Sequence, residues 1–97
     1  MQITHLGHSC VLIETADQRI LVDPGDFSTA WHGVTDLDAV LVTHQHADHA
    51  DPVWLPKLLD ANPQALVAVE ASVTQIVALP ERTRRLGPGE KIDLGRL

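Results

Sequence analysis

Three histidines and one aspartate fall within six consecutive positions, His44-Gln45-His46-Ala47-Asp48-His49. Side chains two apart on extended backbone project the same way, so His44 and His46 can reach one divalent ion together. Asp48 and His49 lie just beyond, where a tightening loop or a helix start can aim them at a second ion. Imidazole nitrogen and carboxylate oxygen suit zinc, and also manganese or iron. The single cysteine, Cys10, stands alone in a predicted strand, so a soft thiolate site is disfavoured. One loop histidine is ordinarily a solvated polar residue. Four donors at this spacing, directly after an apolar run, are far more specific.

The elements around the cluster must place it. Residues 37–43 form a run that is almost wholly apolar in its second half, the pattern of a strand buried on both faces. Upstream, residues 9–15 and 19–23 are short runs rich in β-branched residues. They flank Ala16-Asp17-Gln18, short enough for a hairpin loop, and residues 2–6 predict a preceding strand ended by Gly7. Asp23-Pro24-Gly25-Asp26 stops this sheet, because proline removes a ladder donor and glycine permits a sharp bend. Residues 27–36 read as loop. Asp51-Pro52 predicts a helix start, an acidic cap with proline at the first helical position, although Pro56 should kink that helix or shift its start. It ends near Asn62-Pro63. A buried strand over 65–69, a short helix over 71–79 and two short strands over 83–86 and 91–94 complete the reading. The class is mixed α/β in a single unit, residues 1–97.

Composition narrows the function classes. The chain has 97 residues, 44% of them hydrophobic, enough to build a core, yet Trp31, Trp54 and Phe27 are its only aromatic residues of the Phe, Trp and Tyr type. Seven basic against thirteen acidic residues leave a net charge of −6, which disfavours a phosphate backbone as partner. The basic cluster Arg82-Thr83-Arg84-Arg85 reads as a solvated edge rather than a binding patch. The first residues have neither a basic n-region nor an unbroken apolar h-region, and no apolar run suits a membrane helix. A lone cysteine fits a reducing compartment, so a soluble cytoplasmic protein without a membrane partner is expected.

The cluster and three flanking segments together resemble the N-terminal half of a metallo-β-lactamase-fold hydrolase. The branch that includes ascorbate-6-phosphate lactonase is the most similar. Gly7-His8-Ser9 after the first strand, Leu21-Val22-Asp23-Pro24-Gly25 closing the third and Leu41-Val42-Thr43 leading into the cluster match in order. The resemblance implies half of an αββα sandwich, with a mostly antiparallel sheet and helices on one face. It implies two divalent ions, zinc first, with His44 and His46 on one and Asp48 and His49 on the other. Asp48 would also be the catalytic carboxylate, and Asp23 a buried carboxylate orienting a ligating histidine. Read from its surroundings alone, Asp23 is equally a turn residue ending a strand. His8 lines the pocket or caps a turn, His5 is a strand residue, and His32 approaches substrate or simply sits on an exposed loop.

The implied activity is hydrolysis of a lactone, ester, amide or phosphoester of a small molecule. Family members have a second, similar half that supplies further ligands, and nothing after His49 here is histidine. Two ligands per ion are too few, since catalytic zinc usually has three. The expectation is therefore a missing C-terminal half, a homodimer that rebuilds the sandwich, or a separate chain. Rival readings are a non-catalytic metal-binding or assembly half-domain and an iron-dependent oxidoreductase of the same superfamily.

Overall fold

A computed structural model describes residues 1–91 of the chain. Six strands form one sheet in chain order: β1 (Gln2–Gly7), β2 (Cys10–Glu14), β3 (Arg19–Val22), β4 (Ala39–Val42), β5 (Leu66–Glu70) and β6 (Arg84–Leu86). A helix, α1 (Trp54–Ala61), and a short 3₁₀ helix (Ala71–Gln75) complete the elements. The expected strand over 91–94 lies outside the described residues, apart from Lys91.

β1, β2 and β3 pair antiparallel, whereas β3–β4, β4–β5 and β5–β6 pair parallel. The expectation of a mostly antiparallel sheet is thus corrected to a mixed one. The cause is visible in the chain. Linkers of two and four residues, 8–9 and 15–18, can only turn a strand back, but 23–38 and 43–65 are long enough to cross over and re-enter the sheet in the same direction. The near-continuous apolar run of β4 is itself the pattern of a parallel strand.

Period-two alternation gives the sheet one well-covered face. Leu12, Leu21, Val40 and Val67 are successive cross-strand partners, and all lie in the buried core. Leu55, Leu58 and Leu59 of α1 fall on one side of the helix at i, i+3 and i+4 and are buried in the same core. Burial of each such side chain is worth about 1.5–3 kcal/mol relative to leaving it in water. Val73 of the 3₁₀ helix joins them, so both helices share one face, as expected. The other face carries Val11, Val22 and Leu41 in register, each only half-buried, beside the buried Ile20, Ala39 and Ala68.

The start of α1 is shifted from the one expected: the helix begins at Trp54 with Val53 at its N-cap position and no side-chain cap bond, so Asp51 and Pro52 lie before it. Asp51 Oδ1 instead accepts from the backbone N–H of Val53 (2.8 Å) and of Trp54 (3.0 Å), closing the turn that leads into the helix. Pro56 falls in the first turn, where its missing N–H leaves no bond unmade. At the far end Asn62 stitches helix to loop. Its Oδ1 accepts from Leu37 N–H, and its Nδ2 donates to the carbonyls of Val34 and Leu58. Arg82 is exposed, as the solvated edge expected of it implies, and is also anchored. Its guanidinium donates to the carbonyls of Leu59, Asn62 and Ala65, tying the approach to β6 onto the end of α1. The helix expected over 71–79 shortens to one 3₁₀ stretch, capped by Glu70 accepting from Ser72 N–H. Its run of Val73, Thr74, Ile76 and Val77 is rich in β-branched residues, which lose rotamer freedom in a helix. No helix among the described residues is long and apolar enough to cross a membrane.

Candidate metal centre

Strand direction gathers the site. β1, β3 and β4 all run the same way, so the segments that follow them emerge at one edge of the sheet. These are residues 7–9, 23–28 and 43–51, and every sequence-predicted site residue lies on one of them. The ends of parallel strands are the usual place for a ligand crevice in such sheets.

The middle segment anchors the others. Asp23, buried at 5% exposure, sits at φ 51°, and its N–H donates to Leu41 O. Pro24 O accepts from Asp51 N–H, and Asp26 N–H donates to Ala47 O, both at 2.8–2.9 Å. Gly25 lies between these bonds. A Cβ there would stand 1.8 Å from Asp48 O and 2.6 Å from His49 N, so the two loops meet backbone against backbone. The glycine supplies room rather than the sharp bend expected of it.

Asp23 organises the histidines. Its Oδ1 accepts from Thr43 N–H (2.7 Å), while Oδ2 accepts from Thr43 Oγ1 (2.7 Å) and contacts His49 Nδ1 (2.9 Å). Thr43 has one hydroxyl proton, and it goes to Asp23. The 2.8 Å contact between Thr43 Oγ1 and His44 Nδ1 therefore has the imidazole as donor. Both His44 and His49 thus carry their proton on Nδ1 and keep the Nε2 lone pair free. This is the arrangement that orients ligating imidazoles in metal sites.

The cluster winds up in its second half. His49 N–H and Ala50 N–H both donate to His46 O, so a tight turn follows His46 and carries Asp48 and His49, in line with the tightening loop expected there. Two groups of donors result, each with its atoms within 4.8 Å of one another: Asp23, His44 and His49, and His8, Asp48 and His49. The rings of His44 and His49 lie 4.5 Å apart. His46 is exposed and joins neither group. Asp48 Oδ2 stands 2.9 Å from His8 Nε2 and 3.6 Å from His49 Nε2. The His8 hydrogen bond first, and the neighbouring His49 after it, hold the Asp48 carboxyl below the usual carboxylate range. These imidazole and carboxylate donors fit a divalent ion. Cys10 does not compete, because burial, and then Asp23, pushes its thiol up to about 12.

His8 sits at φ 51° after Gly7 at φ 109°, and its carbonyl accepts from His5 Nε2 at 2.7 Å. His5 is thus a strand residue that also pins the turn. His32 is half-buried rather than exposed, stacked on Trp54 at 4.0 Å and edge-on to Trp31. Sequence reasoning missed Thr43, whose hydroxyl links the two histidines. Its only signal was a hydroxyl residue between the strand and the first histidine.

Comparison with known proteins identifies the family. The family model described as beta-lactamase superfamily domain matches residues 2–96. The chain belongs to that superfamily. It is 43% identical over 97 residues to protein Rv0786c of Mycobacterium tuberculosis, covering 100% of this chain and 45% of that protein. It is 36% identical over 88 residues to a UPF0173 metal-dependent hydrolase of Methanoregula boonei, covering 90% of this chain and 36% of the relative. A crystal structure described as a metal-dependent hydrolase from Parabacteroides distasonis superposes with a TM-score of 0.69 at 22% identity, over 91% of this chain and 38% of the other. That likeness is one of fold. The chain spans less than half the length of these relatives.

Proposed function

We propose that the chain is the ligand-bearing N-terminal half of a metal-dependent hydrolase acting on a lactone, ester, amide or phosphoester of a small molecule. The observation that carries this reading is the hydrogen-bonded chain from His44 through Thr43 and Asp23 to His49, which leaves both Nε2 atoms free. A buried carboxylate holding two imidazoles in one tautomer has little purpose in a merely structural loop. In this reading His44 and His46 hold one divalent ion and Asp48 and His49 a second, with zinc ahead of manganese or iron. His46, exposed, is assigned from spacing alone. When bound, the ions would supply an acidified water, whose pKa drops from 15.7 to ~7 on zinc. Asp48 would orient that water and take its proton on a carboxylate oxygen, passing it to the leaving group. Asp23 keeps His49 and, through Thr43, His44 aimed, while His8 lines the pocket.

The half-buried row Val11, Val22 and Leu41 supports a covering partner for the free sheet face: a second half of a longer polypeptide, a second copy, or a separate chain. A cytoplasmic setting and a small-molecule substrate rather than nucleic acid follow from the lone thiol and the acidic balance. The test is metal content and turnover of a chromogenic ester by the assembled protein. His46→Ala and Asp48→Asn should each lower both; unchanged values in both variants would overturn the assignment.

A further inference from the structure

We propose that one divalent ion is held by His8 Nε2, Asp48 Oδ2 and His49 Nε2, three ligands that all come from the described part of this chain. The inference rests on the metal-binding reading above and adds His8 to it as a direct ligand. It removes the shortage of ligands at that ion without recourse to another half.

Distances come first. His8 Nε2 and His49 Nε2 lie 2.9 Å and 3.6 Å from the same Asp48 oxygen, and the three donors fall within 4.8 Å of one another. Donors sharing a tetrahedral zinc ion at ~2.0–2.2 Å stand ~3.3–3.6 Å apart, so the His49–Asp48 distance fits and His8 needs to move back by only a few tenths of an ångström. Three side chains from positions 8, 48 and 49 therefore already sit at nearly the spacing of a common ion. The ring of His49 is set for the task, since Asp23 accepts from its Nδ1 and leaves Nε2 facing Asp48.

The backbone around His8 is the second observation. A non-glycine residue at positive φ is costly, and such residues concentrate at functional sites. His8 is held there by the preceding glycine and by His5 donating to its carbonyl. Gly7 fits closely as well, because a Cβ on it would stand 2.8 Å from Ser28 Cβ. The β1–β2 turn is thus fixed on both sides, and the side chain it presents reaches Asp48 across forty positions of sequence. The ion takes the place of the hydrogen bond between His8 Nε2 and Asp48, with the neutral ring in its Nδ1–H tautomer so that the Nε2 lone pair faces the ion. Three protein ligands leave the fourth position of a tetrahedral ion open for water or substrate, the pattern of catalytic rather than structural zinc.

The experiment loads the chain with cobalt(II) as a spectroscopic stand-in for zinc, reading visible absorption and bound metal per chain. His8→Asn is the informative variant, since asparagine tolerates positive φ and removes only the imidazole. Affinity for the ion should fall by more than the ~10–100-fold that losing an outer partner costs, and the absorption band should shift. In the wild-type chain, zinc should move the ring nitrogen resonances of both His8 and His49 in ¹⁵N spectra, a readout that needs no variant to fold. Metal binding with an unmoved His8 ring, or with unchanged affinity in folded His8→Asn, overturns the ligand role of His8 and leaves the metal reading standing. A wild-type chain that takes up no ion overturns both.

Discussion

The two flanks of the sheet are built by different rules. From β1 to β3 the chain meanders through turns of a few residues, with each strand paired to its sequence neighbour and the ladder antiparallel. From β3 to β6 every pairing is parallel, and the chain must leave the sheet and cross over before each new strand. The first flank is cheap in loop entropy, while the second needs long connections that carry their own buried residues, Trp31 and Leu55 among them. The candidate site lies where the two meet. The antiparallel flank delivers His8 and Asp23, the parallel flank delivers Thr43 and the histidine run, and β3 belongs to both.

Breaking that seam should have the largest effect. Gly25→Ala puts a methyl group into the backbone of Asp48 and His49, so the two loops must part. We expect a loss of about 3 kcal/mol or more in chemical denaturation, together with loss of metal uptake, because overpacking here cannot be relieved by a rotamer change. Leu21→Ala, in the middle of the shared strand and fully buried, should cost about 2–5 kcal/mol in the same assay. Metal uptake by the remaining folded protein should survive it, which separates core damage from site damage.

Subtler changes sharpen the comparison. Thr43→Val keeps shape but removes the hydroxyl that joins His44 to Asp23, so metal affinity should drop about 10–100-fold with little change in melting temperature. Equal affinities would mean that His44 needs no such support. The smallest effect belongs to Cys10 at the start of β2. Its thiol is pushed up to about 12, so the folded protein disfavours the thiolate. The stability this represents is fully present below the ordinary thiol pKa and declines as pH rises from about 9 towards 12. Reaction with a thiol reagent at pH 8 should be far slower in native than in denatured chain; equal rates would place Cys10 outside the core.

Much of this was legible in the residues. The β-branched runs announced β2 and β3, Asp51 announced the turn into α1, and the His-x-His-x-Asp-His spacing announced a cluster of imidazole and carboxylate groups at a strand end. These features are local, set by period, capping chemistry and ligand type, and neighbours in sequence suffice to reveal them. Strand direction was not local, and the expectation of a mostly antiparallel sheet failed on it. Nor was the length of the 3₁₀ stretch after β5, where β-branched crowding outweighed the helical spacing.

The sequence by itself determined which side chains were available for chemistry and roughly where the strands carrying them would end. Only the tertiary structure decided which of them meet. It placed His8 beside Asp48 across forty positions, gave Asp23 two histidines to hold, left His46 exposed, and assigned Gly25 to a backbone contact no local pattern reveals. Such contacts depend on the order and direction of strands in the sheet. That order follows from the summed burial of the whole chain, and no single stretch of residues encodes it.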